Sequence, residues 1–384
     1  MIDFSKTKVI LNTHRSSPTH GDEIKQYFIN QKCAGLWFIA HEFAQLQTRR
    51  TFIETYANGK LLSKKYGPDF SFLPEYLVYV KDILTSIWLI LTQIRRADVY
   101  VGISAYDTLP GIICKNIVRL KSIVFLTIDF VPKRFPQAIL NKIYVMIDKF
   151  CINHATQTWN PSPRMAEGRE KIWGYEPSLR QKQTEMPFGI WLNDNFKPGL
   201  KAKNPLMIFS GHLVAKQGVQ LAIKSLSIIL RTLPKTKLII IGTGEYLLEL
   251  QKIVKKLNLS SHVSFTGYID SKSQSRLFAK AWIGLATFDP QLDTFSYYAD
   301  PGKIKLYLGH GLPVLLTDVP YIAKIVHQAK AGRIVKYDEQ DFATAAIELL
   351  SNSQRYRQYS ENALKLATNY DWNRTLATRL ASLI

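Results

Sequence analysis

The sequence predicts an α/β protein built from two Rossmann-like βα domains in tandem. Three observations predict it. Short apolar runs alternate with stretches of helical periodicity along most of the chain, the pattern of parallel strands joined by right-handed crossovers. That rhythm breaks once, at 193–204, where Asn193, Asp194, Asn195, Pro198, Gly199 and several lysines intervene, and it restarts at Leu206. A chain of 384 residues, 46% apolar and 21% charged, is long enough for a core in each half. The expected organisation is a first domain over 1–192, a linker over 193–204, a second domain over 205–370 and a closing helix over 371–384.

In the first half, the run at 9–12 reads as a strand entering the polar loop from Thr13, and 35–39 as a second strand. A long helical region including 75–96 is expected next. Strands at 98–103 and 122–127 follow, the latter delivering Asp129 to its carboxyl end. A helix over 138–150 and a strand over 156–160 come next, with Ser162 as the cap of the following helix. In the second half the strands are 206–210, 238–241, 263–265, 283–286, 314–317 and 332–335. Between the first two, apolar residues at 219, 222, 223, 226, 229, 230 and 233 form a helical stripe.

Fifty basic against thirty acidic residues give a formal charge of +20, which favours polyanionic partners: nucleic acid, an anionic membrane face or a phosphate-bearing small molecule. The basic residues are scattered among βα units and match no nucleic-acid module, so nucleic acid is not an expected partner. Cys33, Cys114 and Cys151 lie far apart without metal or redox spacing and read as free buried thiols of a reducing compartment. The start lacks a leader-like apolar core, and the apolar segment 83–94 is too short to span a bilayer. A cytoplasmic protein is expected, with the inner membrane face as an option for 83–94 and the basic surface.

Chemistry concentrates in loops at strand ends of the second half. In 210–218, Gly211 allows close backbone approach to a ligand, while His212, Lys216 and Gln217 can donate to phosphate. Gly242 and Gly244 form a GxG turn ahead of a helix, and Tyr268 is placed to stack on a flat ring or to be an ordinary tyrosine. From Ala299 to Thr317, a Pro301-Gly302 turn opens a short helix carrying Lys303 and Lys305, and Gly309-His310-Gly311 stops it before a buried strand. Amides at such a helix start, with Lys303 beside them, attract anions; a crossover helix with solvated lysines is the plainer reading. In the first half, His14, Arg15 and Asp129 end strands. The plainer reading of His14 is a polar surface residue, and of Asp129 a cap or a salt-bridge partner of Lys133 or Arg134.

The stretches 210–218, 242–245, 266–269 and 301–317 resemble the C-terminal domain of the retaining nucleotide-sugar glycosyltransferases of the GT-B fold, the group 1 or family 4 type. The likeness spans 205–370 well and the first half loosely, with 155–165, 186–190 and Asp371-Trp372 also similar. It implies two Rossmann-like domains facing each other across a cleft, with a C-terminal helix crossing back to the first. It also implies metal-independent transfer of a hexosyl group, with retention, from a nucleotide-diphosphate sugar to a glycan or lipid-linked acceptor. No cofactor beyond the donor is implied.

The implied donor site is Gly211, His212, Lys216, Gln217, Gly242, Gly244, Tyr268, Asp300, Gly302 and Lys303, with Lys303 and Asp129 as the catalytic candidates and His14 and Arg15 on the acceptor side. Lys303 and Lys216 are expected to hold the diphosphate, aided by amides of Gly211 and Gly302. This chain departs from the pattern: the motif Arg falls at His212, the motif Lys at Gln217, and the paired glutamates at Tyr298 and Leu306. The strand-end His falls at Ile128. Asp300 or Asp293 is expected to take over the lost acidic contact. The alternatives are a catalytically silent relative binding a nucleotide sugar or glycan as a partner subunit, and a GT-B epimerase or phosphorylase.

Overall fold

The structure, a computed structural model, describes residues 3–15, 20–42, 49–192, 201–292 and 295–383. The chain divides into two compact units, Met1–Pro187 with Thr375–Ile384, and Phe188–Arg374.

The first unit runs β1 (Lys8–Arg15), α1 (His20–Asn30), β2 (Gly35–Glu42), β3 (Thr51–Ala57), β4 (Lys60–Tyr66) and α2 (Glu75–Gln93). It continues with β5 (Val99–Ile103), α3 (Ala105–Cys114), β6 (Ser122–Leu126), α4 (Ala138–His154), β7 (Gln157–Asn160), α5 (Arg164–Trp173) and β8 (Gln183–Glu185). These strands form one sheet in the order β4-β3-β2-β1-β5-β6-β7-β8. Neighbours are parallel except for β2–β3 and β3–β4.

That exception corrects the expected long helical region after the second strand. Asn58 and Gly59, with φ of 50° and 78°, turn 51–66 into an antiparallel hairpin, leaving the helix to α2 alone. β4 is the edge strand, almost wholly exposed, and carries Lys60, Lys64 and Lys65. Ser162 is also displaced from its expected role: Pro163 occupies the N-cap position of α5, and the Ser162 hydroxyl accepts the Arg164 amide at 3.3 Å. Cys33, Cys114 and Cys151 are free and buried.

The second unit runs β9 (Leu206–Ser210), α6 (Val219–Thr232), β10 (Lys237–Ile241), α7 (Leu247–Lys256), β11 (Val263–Gly267), α8 (Ser271–Lys280) and β12 (Ile283–Ala286). Then come α9 (Gly302–Gly309), β13 (Val314–Leu316), α10 (Ile322–Gln328), β14 (Gly332–Ile334), α11 (Glu339–Ser351) and α12 (Ser353–Ala367), with α13 (Trp372–Ala381) closing the chain. Its six parallel strands are ordered β11-β10-β9-β12-β13-β14, a doubly wound sheet that reverses direction between β9 and β12. Strand alternation explains its two apolar layers: Met207 and Phe209 enter one core, Ile208 the other.

The division at Pro187/Phe188 falls before the linker expected at 193–204, and 193–200 lie outside the described residues. Phe188–Leu192 belongs to the second unit because its backbone is tied there. The Ile190 amide donates to Tyr370 O at 2.7 Å, the Trp372 amide donates to Ile190 O at 3.0 Å, and Gly189 packs on the Trp372 ring. At the other end, Thr375–Ile384 groups with the first unit, where Ser122 Oγ donates to Leu383 O at 3.0 Å.

Candidate active site

In the second unit the loops after β9 and β10 interlock at the reversal of strand order, where doubly wound sheets leave a crevice for ligands. A Cβ on Gly242 would sit 1.9 Å from Gly211 O, and one on Gly218 would sit 1.7 Å from Thr287 O, so neither position admits a side chain. Onto this glycine floor α9 brings Lys303. Its Nζ donates to Gln217 Oε1 at 2.5 Å and lies over the rings of Phe209 (4.2 Å) and Phe288 (5.2 Å). A Cβ on Gly211 would come within 2.8 Å of that ammonium, so glycine there is what lets Lys303 approach the backbone. Lys216 lies 5.1 Å from the Phe295 ring. Lys303, Gly211, Gln217 and Gly242 are therefore brought together.

Other expected members are placed differently. Asp300 does not face a ligand: its side chain is 4% exposed, pairs with the fully buried Lys305, and accepts the Phe188 amide at 2.8 Å. Burial of Lys305 forces this, since a buried ammonium needs a carboxylate partner. Asp293 lies outside the described residues. The Gly211 amide is not a phosphate donor either, because it donates to Ile241 O at 3.0 Å. Tyr268 is 84% exposed, a surface ring. Gly244 packs under Leu213 O, where a Cβ would be 2.2 Å away. Exposed His212 faces Glu245 at 3.3 Å, and Gly302 opens α9 with free space about its Cα. Two residues given no role from sequence anchor this region: the Tyr307 hydroxyl accepts the Ser210 amide at 2.8 Å, and Gln274 donates to Ser210 Oγ at 2.6 Å.

The first unit has its own cavity, of about 460 Å³, at the carboxyl ends of β1, β5 and β6. His14, Asp129, Arg134, Tyr106, Ser104 and Glu23 are among its walls. It sits where the strand order turns from β1 to β5, the same kind of switch point. Asp129 lies 3.6 Å from Arg134, the ion pair considered for it from sequence, and both line the cavity. Arg15 does not join them: its Nε turns to Asp22 at 3.3 Å. Ser104 holds φ at 120°, a strained region for a side chain, while capping α3. Asp107, also missed, was legible as the acid of a Ser104-Ala105-Tyr106-Asp107 capping box.

His14 is buried and held from both sides, Nδ1 at 2.8 Å from Asp107 Oδ1 and Nε2 at 3.1 Å from Asp82 Oδ2. Asp82 also faces His41 at 3.1 Å. Burial alone would lower the His14 pKa, but the Asp107 and Asp82 carboxylates outweigh it and push it up to about 9. Flanked by these two carboxylates, His14 is held as an imidazolium at neutral pH. The unfolded chain releases this proton near 6.5, so the stabilisation is complete below that pH and is lost as pH rises through about 9. Urea midpoints of the first unit should therefore fall between about pH 6.5 and 9, and a His14→Gln variant should show a flatter profile. An equal slope in the variant would remove His14 as the cause.

Residues 204–352 match the family model described as Glycosyl transferases group 1. The chain is 28% identical over 152 residues to the poly(glycerol-phosphate) alpha-glucosyltransferase of Bacillus subtilis, a match covering 39% of this chain and 21% of that one. It is also 28% identical over 188 residues to the GDP-mannose-dependent alpha-(1-6)-phosphatidylinositol monomannoside mannosyltransferase of Mycolicibacterium smegmatis, covering 47% of each. The chain thus spans less than half the length of these curated relatives. Among solved structures, a glycosyltransferase from Rickettsia africae superposes with a TM-score of 0.72 at 11% identity, over 99% of this chain and 98% of that one. The Anabaena protein HepE, in complex with UDP, gives 0.65 at 12% identity, over 98% and 100%. Likeness at that identity shows the fold.

Proposed function

We propose that this chain, a group 1 glycosyltransferase by its second unit and a GT-B protein by its fold, moves a hexosyl group with retention from a nucleotide-diphosphate sugar to a glycan or lipid-linked acceptor. The observation that carries this reading is the contact of Lys303 Nζ with Gln217 Oε1. In the resembled family position 217 is a lysine; here glutamine stands there, and α9 supplies the ammonium to the same spot. That contact supports a cation at the place where the diphosphate is expected.

Departure of a nucleoside diphosphate concentrates negative charge on the leaving phosphate. Lys303, Lys216 and the amides opening α9 at Gly302 are the groups suited to stabilise that charge without a metal. The acceptor is assigned to the cavity of the first unit, where Arg134 offers a cation and His14 a buried positive charge. HepE was crystallised with UDP, and the Bacillus and Mycolicibacterium relatives are named for a glycerol-phosphate polymer and a phosphatidylinositol mannoside, which supports both halves of the reading. A cytoplasmic site of action, with peripheral contact to an anionic membrane, belongs to the same proposal.

A catalytically silent nucleotide-sugar binder is the second reading. It is favoured by Tyr298 and Leu306 at the glutamate positions and by the engagement of Asp300 with Lys305. A thermal-shift screen of UDP- and GDP-sugars followed by a donor-hydrolysis assay separates them. The transferase reading expects one donor to raise the melting temperature and to be hydrolysed slowly without acceptor. Stabilisation without any hydrolysis or transfer would favour the silent binder, and no stabilisation by any donor would sink both.

A further inference from the structure

α2 is apolar on both sides: Tyr79, Leu89 and Ile90 are buried in the core, and its outer side is apolar as well. A helix on the outside of a soluble domain turns charge to water and apolar residues to the core. Here Lys81 and Asp82 turn inward, where Asp82 meets His14 and His41 and Lys81 Nζ donates to Thr51 Oγ1 at 3.3 Å. Outward, Tyr76, Val80, Leu84 and Trp88 repeat every fourth residue and form one exposed stripe, with Leu84 61% and Trp88 60% exposed. No described helix is long and apolar enough to cross a membrane.

Beside this stripe, between α2 and the β3–β4 hairpin, lies a second cavity of about 520 Å³, within the roughly 300–1,000 Å³ of small-molecule sites. Its walls include Ile53, Tyr66, Phe70, Leu84, Trp88 and Leu89. Lys65 lines it as well, from the exposed edge strand that also carries Lys60. Arg95 and Arg96 are exposed just beyond the far end of α2. An apolar slot with a lysine among its walls, opening beside an apolar stripe flanked by cations, matches one chemistry: a hydrocarbon chain with an anionic head.

We infer that the cavity between α2 and the β3–β4 hairpin binds the hydrocarbon chain of an anionic amphiphile, its head group on Lys65, while the α2 stripe lies on the lipid surface from which the chain is drawn. This deepens the lipid-linked acceptor of the proposed reading, on which its place in the reaction rests. The binding itself is measured without any transfer.

The test titrates the full chain with n-alkyl phosphates of increasing length, below their micelle concentrations, and with UDP in parallel. Affinity is expected to rise about fourfold per methylene until the cavity is filled. Leu84→Arg and Trp88→Gln, both at exposed positions on the cavity wall, should each weaken the longer chains about tenfold or more. Leu91→Arg, exposed on the same helix but outside the cavity, should leave them unchanged, and UDP binding should be the same in all four proteins. Affinity independent of chain length, or equal losses from Leu84→Arg and Leu91→Arg, would overturn the inference. Absence of UDP binding with the chain-length dependence intact would instead sink the donor reading and leave this one standing.

Discussion

Lys303→Ala is expected to lower kcat/KM for the preferred donor by about 10²–10³-fold, with the fold and melting temperature little changed. Lys303 is partly exposed, with its ammonium over the faces of two aromatic rings, so its removal opens no core cavity. What it removes is the ammonium held beside Gly211 and Gln217, where charge must be met as the diphosphate leaves. Gln217→Lys in the same background returns a cation to the spot and should recover part of the loss. Steady-state kinetics on the three proteins decide it. Near-normal turnover in Lys303→Ala would take Lys303 out of the site.

Asp300→Ala should destabilise the second unit by about 3–5 kcal/mol, because it leaves a fully buried Lys305 without its counter-charge. The Phe188 amide, which donates to the same carboxylate at 2.8 Å, loses its acceptor too. The pair fastens Phe188 to α9, since Lys305 Nζ also donates to Phe188 O at 2.6 Å. Asp300→Ala with Lys305→Met removes both charges and should restore most of the stability. Denaturant midpoints give the comparison. A stable Asp300→Ala protein with lost donor affinity would return Asp300 to the acidic contact expected of it from sequence.

The contrast between Lys303 and Lys305 shows how much of the site could be read in advance. Two residues apart on a helix are separated by about 200° and cannot share a face, so at most one lysine of α9 could serve the ligand. The helix, its Pro-Gly start and the buried strand beyond were legible from punctuation and periodicity alone. Which lysine turned inward was not, because that depends on Asp300 and Phe188 meeting it in space. The same holds for Asp82: a carboxylate inside an apolar run signals a buried partner, but His14 and His41 come from strands far away in sequence. The hairpin at 51–66 was different. Asn58-Gly59 between two β-rich runs is a strong turn signal, legible from the sequence alone. The second unit was read more fully than the first because its six strands follow the βα rhythm without such an insertion.

The most direct measurement is a crystal structure of the chain grown with UDP. The diphosphate is expected within hydrogen-bonding distance of Lys303 Nζ, close to the Gly302 amide and Lys216. A nucleotide bound elsewhere on the second unit, with Lys303 still resting on Gln217, would contradict it.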